Sequence, residues 1–230
     1  MFIYKLPKIL ILTCFIQMIS MVGFAIWPIY LIDLQAQWKL SNSEAGWISG
    51  SFYIGYVIAT PFLVSLTDSF YSRNLYAISF LIGSAGLFFF SIFSTNAINA
   101  SIFWSLVGVG LAGTYMPGLQ ILNSRLNQIS REKYVAVYTS FFGLGTAFSF
   151  SLFGILKNYN VSWENAFLLA SVILFTCSFP LLYFSGDEIE ERQKKKYQGI
   201  IKVIVPILKT FKNKKASPFI LGYGGHTYEL

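Results

Sequence analysis

Six stretches of apolar residues, separated by short polar turns, dominate the first 184 residues of the chain. They run over residues 9–34, 46–66, 75–95, 100–123, 135–156 and 164–184. A helix needs about 20 apolar residues to cross the hydrocarbon core of a bilayer, and each stretch is long enough. The pattern therefore predicts an all-α membrane protein in which residues 1–184 form a bundle of six transmembrane helices.

The pattern changes after residue 184. Residues 185–215 begin with charged side chains and continue as a stretch in which lysines are mixed with aliphatic residues. This segment is too basic to span, and two interpretations stay open: an amphipathic helix on the membrane surface, or a connector packed under the bundle. Residues 216–230 start a new apolar run that is shorter than a span, so we expect the chain to end inside a seventh helix.

The basic residues predict the orientation. If the N-terminus lies inside, 15 of the 17 Lys and Arg residues fall in inside segments, and only Lys39 and Lys157 fall outside. The positive-inside rule then places the N-terminus and residues 185–215 in the cytoplasm. We therefore expect a multi-pass protein of the inner (plasma) membrane, with the bilayer as its partner. The net charge of +7 follows from this orientation, so no nucleic-acid partner is expected.

The N-terminal stretch also needs comparison with a cleaved signal peptide, because Lys5 and Lys8 precede it. Its apolar run is longer than the h-region of a signal peptide, and Gly23-Phe24-Ala25 is a poor cleavage site. We interpret it as a retained helix.

Composition argues against a soluble enzyme. Charged residues make up 12% of the chain, against about 25% in soluble domains. The sequence has no zinc-ligand spacing, nucleophile elbow or phosphate-binding loop, and no span between residues 46 and 184 carries a charge at mid-depth. We expect no catalytic residue, no metal and no cofactor. Cys14 and Cys177 lie in apolar stretches, where cysteine packs as a small hydrophobic residue.

Polar and aromatic residues inside the spans are the candidates for a substrate path. Each can hydrogen-bond a small polar solute or a neighbouring helix, and the sequence leaves both roles open. These candidates are Gln17, Tyr30, Tyr53, Tyr56, Trp104, Tyr115 and Gln120.

Small residues predict where helices approach closely, because lipid gives helices no hydrophobic reason to associate. The candidates are Gly46, Gly50, Gly108, Gly113, Gly143 and Gly145. A further pattern is that Gly23 precedes Pro28 in the first span and Gly113 precedes Pro117 in the fourth. Matching glycine–proline pairs at opposite depths are what an inverted three-plus-three repeat gives.

The turn between the second and third spans reads Ser65-Leu66-Thr67-Asp68-Ser69-Phe70-Tyr71-Ser72-Arg73-Asn74. It resembles the signature loop of the major facilitator superfamily: a glycine, an aspartate four residues on, then basic residues. Asp68 and Arg73 match the acidic position and a late basic position, whereas Val64, Ser69 and Asn74 stand where the family has glycine and basic residues. In the family this loop is a charge lock that helps hold the outward-open state. The resemblance implies that Asp68 and Arg73 act in conformational switching.

Two further stretches are similar to the same family. Gly108–Leu119 looks like its fourth helix, with Trp104 where the family often has arginine, and Gly143–Ala147 falls at its fifth-helix glycine motif without the proline. The resemblance covers essentially the whole chain as one six-helix half plus the central loop. It implies a secondary active transporter of a small solute by alternating access, present as an N-terminal fragment whose partner is the missing C-terminal half. The alternative is a non-transporting membrane scaffold or receptor-like protein with a basic cytoplasmic loop.

Overall fold

Eight α-helices make up most of the chain that the structure describes. The computed structural model describes residues 8–67, 70–123, 128–184, 213 and 217–218. The helices are α1 Lys8–Ser20, α2 Ile26–Gln37, α3 Asn42–Leu66, α4 Ser72–Phe93, α5 Ala97–Ala112, α6 Tyr115–Asn123, α7 Gln128–Asn158 and α8 Trp163–Phe184. These described residues include no strand, and the prediction of an all-α membrane protein is confirmed.

Within the described residues, five helical segments are long and apolar enough to cross a membrane. They are α3, α4, the pair of α5 and α6 counted together over Ala97–Asn123, α7 and α8. By contrast, α1 and α2 are each shorter than the roughly 20 residues that a span needs, and together they follow the predicted stretch 9–34. The N-terminal stretch is therefore helical but split.

Both split segments break just before a proline. In the turn 21–25 and again in the turn 113–114, backbone N–H groups bond to carbonyls three residues back instead of four. Pro28 and Pro117 are each the third residue of the helix that follows. At that position a backbone N–H has no intrahelical partner, so proline costs no helical hydrogen bond. The two glycine–proline pairs noted in the sequence therefore mark two helix breaks.

Polar caps set the first turns of two helices. At α3, Glu44 N–H donates to Ser41 Oγ at 3.3 Å while Ser41 N–H donates to the Glu44 carboxylate at 2.8 Å, a reciprocal capping box. At α5, the Asn96 side-chain oxygen accepts from the N–H groups of Ile98 and Asn99 at 3.0 and 3.1 Å. Each cap satisfies backbone donors that a helix start leaves unpaired.

Helix α4 is the most enclosed element. It packs against α5 and α8, while α3 packs against α5 and α1 packs against α7. In the part of α4 that is apolar enough to span a membrane, 61% of the residues are buried, against 28% in α3 and 17% in α7. Helices α3 and α7 therefore leave most of their surface uncovered by the rest of this chain.

The chain divides into two units, residues 1–194 and 195–230. The helices above all belong to the first. Of the second unit the structure describes residues 213, 217 and 218, where Ser217 N–H donates to the Asn213 carbonyl at 2.9 Å. The predictions for residues 185–215 and 216–230 fall almost entirely outside the described residues.

Candidate functional site

Gln17 lies at the centre of a buried hydrogen-bond cluster that joins three helices. Its Oε1 accepts from the hydroxyl of Tyr138 on α7 at 2.6 Å and from that of Tyr76 on α4 at 3.4 Å. Its Nε2 donates to Ser20 Oγ at 3.3 Å. Gln17, Tyr76 and Tyr138 are each at most 1% exposed. Because these contacts are all within the protein, they fasten α1, α4 and α7 to one another.

Tyr115, another candidate, joins the same cluster from the start of α6. Its backbone carbonyl lies 3.1 Å from Tyr138 OH and shares the single hydroxyl hydrogen with Gln17 Oε1, and the two rings lie 5.5 Å apart. Its own hydroxyl is hydrogen-bonded to Thr139 Oγ1 at 2.8 Å. Gly118 leaves the space for this arrangement, since a Cβ there would collide with Tyr138 OH. Gln17 and Tyr115 are thus brought together through a shared partner.

Tyr53 and Tyr56 both lie on α3. Tyr53 is 56% exposed and places its ring edge-on to Phe52 at 5.3 Å. Tyr56 is partly buried against the apolar core. Of the two, Tyr53 is therefore the one open to lipid or to another protein surface.

Tyr30 fastens α2 to the end of α7. Its hydroxyl donates to the Val161 carbonyl at 2.9 Å, and Lys157 Nζ lies 5.4 Å from its ring centroid. The same ammonium binds Asp33 Oδ2 at 2.7 Å and the Ile29 carbonyl at 2.8 Å. A lysine in the last turn of a helix also complements the negative end of the helix dipole. We call this end of the bundle the Asp33 end, and the opposite end the Arg73 end.

Trp104 belongs to an aromatic cluster. The ring of Phe90 is surrounded by four tryptophan rings at centroid distances of 5.9 to 6.3 Å and is stacked on Phe167 at 4.1 Å. The tryptophans are Trp27, Trp38, Trp104 and Trp163. Trp104 is 3% exposed. An arginine in this apolar surrounding would lack a counter-charge, so the aromatic side chain matches its environment.

Gln120 and Arg73 lie at the end of the bundle opposite Asp33. Gln120 Oε1 accepts from Ser72 Oγ at 2.8 Å, which links α6 to the start of α4. The Arg73 guanidinium carbon lies 5.1 Å from the centroid of the Tyr71 ring, a cation–π distance. Asp68, the other residue of the predicted switch loop, lies outside the described residues.

The predicted packing glycines fall into two groups. A Cβ at Gly108 would collide with the Phe52 carbonyl of α3, one at Gly113 with the Ser79 hydroxyl of α4, and one at Gly145 would lie 2.7 Å from the Met18 carbonyl of α1. At the other three positions no neighbouring atom lies within 4 Å of an added Cβ. These open positions are Gly46, Gly50 and Gly143.

The candidates taken from the sequence do not include Ser149, which bridges the break in the first span. Its hydroxyl donates to the Val22 carbonyl at 2.6 Å and accepts from Ala25 N–H at 3.1 Å. Ser149 is fully buried. A signal was available, because Tyr138 and Ser149 are spaced by three helical turns and so share a face of α7.

A small cavity lies where the two breaks meet α4. The polar residues that line it are Ser20, Ser79 and Thr114. The volume of the cavity is about 20 Å³. The remaining lining residues are Gly23, Phe24, Phe52, Phe80, Gly83, Val107, Gly110, Leu111 and Leu174. This space fits one or two waters and is far smaller than a solute site.

Metal binding has no evident place in the described part of the chain. Among residues 8–67, 70–123 and 128–184, no three His, Cys, Asp or Glu side chains are grouped closely enough to hold an ion. Cys14 and Cys177 are free thiols.

Comparison with known proteins gives three related transporters. The chain is 27% identical to the niacin transporter NiaP of Acinetobacter baylyi over 146 residues, covering 62% of this chain and 32% of that protein. It is 24% identical to the sphingosine-1-phosphate transporter SPNS2 of Danio rerio over 165 residues, covering 68% and 31%. It is 29% identical to the putative uncharacterized transporter YgaY of Escherichia coli K12 over 149 residues, covering 63% and 36%. The matched region spans about a third of the length of these curated relatives.

A family model extends the match over nearly the whole chain. The model described as Major Facilitator Superfamily matches residues 11–227, and the helical bundle described above agrees with it. The family that the sequence predicts is thereby confirmed. The chain is a multi-pass membrane protein and belongs to the Major Facilitator Superfamily.

Proposed function

We propose that this chain is the N-terminal six-span half of a secondary active transporter that moves a small solute by alternating access. The observation that carries the proposal is the family match over residues 11–227. The solute would bind near the midplane between two such halves, and rocking of the halves would expose it to either side in turn. The protein would act without a cofactor and without covalent chemistry.

The uncovered surfaces of α3 and α7 support the need for a second half. Gly46 and Gly50 on α3 and Gly143 on α7 meet no atom within 4 Å, although small residues favour close helix contact. Tyr53 is open on the same helix as the first two. A second six-span half would cover these positions and, with Tyr53, complete the wall of a solute path.

The proposed requirement for two halves is tested by reconstitution. Liposomes receive the purified 230-residue chain alone, or the chain joined to a complementary six-span half, and uptake of small anions, sugars, amino acids and drugs is measured. We expect saturable uptake only with both halves. Saturable uptake by the chain alone would show that one half is sufficient.

The same preparations separate transport from the scaffold alternative. In the joined protein, a cysteine replacing Tyr53 should react with impermeant reagents from either side of the membrane, in proportions that a transported solute shifts. Reactivity confined to one side, with no uptake of any solute, would favour a non-transporting scaffold.

We also propose that Asp68 and Arg73 act in switching between the two states and do not contact solute. Their position between the second and third spans supports this role, with Arg73 in the first turn of α4, as does the resemblance of this stretch to the family loop. In the joined protein, Asp68→Asn should change the transport rate and leave solute affinity nearly intact, with Ser69→Ala as the control. Weakened binding at an unchanged rate would contradict the assignment.

A further inference from the structure

The small cavity at the two helix breaks is lined by hydroxyl residues from two helices and one turn. Ser20 comes from the end of α1, Ser79 from α4, and Thr114 from the turn between α5 and α6. These residues are 8%, 1% and 2% exposed, so bulk water does not solvate them. Gly113 is in direct contact with Ser79 Oγ, which places the α4 hydroxyl against the second break.

Each of these hydroxyls already donates its hydrogen to a backbone carbonyl. Ser20 donates to the Gln17 carbonyl at 2.7 Å, Ser79 to the Leu75 carbonyl at 2.7 Å, and Thr114 to the Leu111 carbonyl at 2.8 Å. A hydroxyl has one donor and two acceptor lone pairs. What remains on all three is acceptor capacity, so the hydroxyls cannot satisfy one another.

A ligand that donates hydrogen bonds can use this spare acceptor capacity. Ser20 already accepts one hydrogen bond, from Gln17 Nε2 at 3.3 Å, so Ser79 and Thr114 keep more unused acceptor capacity than Ser20 does. A molecule with two hydrogens to donate matches two acceptors, one on α4 and one in the turn between α5 and α6. The cavity, at about 20 Å³, exceeds the 10–15 Å³ or so that one water needs.

We propose that this cavity is a binding site for an internal water molecule that bridges Ser79 and Thr114, with Ser20 as a third partner. A neutral ligand is favoured because the lining contains no charged side chain, and an unpaired cation in so apolar a site would be costly. The water would supply hydrogen bonds at the point where two spans have given up part of their own backbone ladder.

Thermal unfolding of the purified chain in nanodiscs tests the bridge by a double-mutant cycle. Ser79→Ala and Thr114→Val each remove one acceptor. If one water binds both hydroxyls, the decrease in melting temperature of the double variant should be clearly smaller than the sum of the decreases of the two single variants. Additive losses would overturn the shared water.

Gly83→Ala tests the same site without removing a hydroxyl. Its added methyl would make only ordinary contacts, 3.4 Å from Leu174 Cδ1 and 3.8 Å from Gly110 Cα, and would narrow the cavity. Displacing a bound water should lower the melting temperature relative to Gly50→Ala, a helical control with open space at its Cβ. A higher melting temperature than this control would show that the cavity is dry, because filling an empty space stabilises.

Two further results decide the ligand. An experimental structure should show density at about 2.5–3.0 Å from both Ser79 Oγ and Thr114 Oγ1. If instead the melting temperature rises with NaCl but not with choline chloride, and Ser79→Ala abolishes that rise, the ligand is a sodium ion and the water proposal is wrong.

Discussion

At the scale of single residues, α7 acts on the first span through two hydroxyl groups. Ser149 replaces hydrogen bonds that the turn 21–25 has lost, and Tyr138 binds Gln17 one turn before that break. The hydrocarbon of a membrane offers no hydrogen-bond partners, so backbone groups left unsatisfied there are costly. The broken span therefore depends on a side chain from another helix for its shape.

Removal of that hydroxyl should destabilise the protein. Ser149→Ala leaves the Val22 carbonyl and the Ala25 N–H without their partner, and we expect a loss of about 1–3 kcal/mol in the free energy of unfolding. Unfolding of the purified chain in detergent, followed by circular dichroism, measures it. The control is Ser140→Ala, because Ser140 is an exposed residue of α7 that bonds only within its own helix. Equal losses in the two variants would contradict this role for Ser149.

The sequence indicates which residues are polar within the spans, but not what they bind. Gln17 stands out as an amide in an apolar run, yet its strongest partner, Tyr138, is 121 positions away. Partners at that separation depend on how the helices pack, which a hydrophobic pattern does not specify. The same is true of Trp104: the sequence shows that it lies in the fourth span but does not show that it packs beside Phe90.

At the scale of helices, close approach rather than side-chain volume fixes the contact between α3 and α5. A Cβ at Gly108 would collide with the Phe52 carbonyl, and one at Gly55 with the Ser105 carbonyl. Backbone atoms cannot move aside as the end of a side chain can. Glycine at these two positions is therefore a requirement of the helix pair.

Alanine substitution at two glycines should distinguish a close helix contact from an open helix surface. We expect Gly108→Ala to lower the free energy of unfolding by about 1–3 kcal/mol or more, because it overpacks the contact. Gly50→Ala should be neutral or stabilising by up to about 1 kcal/mol, because alanine favours a helix and nothing lies within 4 Å. Melting temperatures of both variants in the same detergent make the comparison. A similar loss in both would show that α3 and α5 do not pack as described.

Helix positions were largely predictable, whereas the breaks were not. The length of each apolar stretch predicts a span directly, and the described helices follow the predicted stretches closely. Proline alone does not locate a break, because Pro61 and Pro180 lie inside the continuous helices α3 and α8. The difference is that Pro28 and Pro117 follow turns that neighbouring helices support, and that support appears only once the bundle has assembled.

At the scale of the whole molecule, the distribution of charge predicts an orientation that can be measured. In a background in which Cys14 and Cys177 are replaced by serine, single cysteines are placed at Lys39 and Lys195. An impermeant thiol reagent applied to intact cells should label position 39 and should label position 195 only after the membrane is opened, because basic segments stay inside. Strong labelling of position 195 in intact cells would reverse the topology.

The arrangement of rings around Phe90 means that the intrinsic tryptophan fluorescence reports mainly on the packing of the helices around this residue. Four of the five tryptophans lie around that ring, while Trp47 is 64% exposed at the start of α3. Emission from the four reports on a single part of the bundle, and brominated lipid would quench Trp47 in preference to them. Replacing Trp47 by phenylalanine would leave a chromophore set that responds when the helices around Phe90 move apart, with no dye attached.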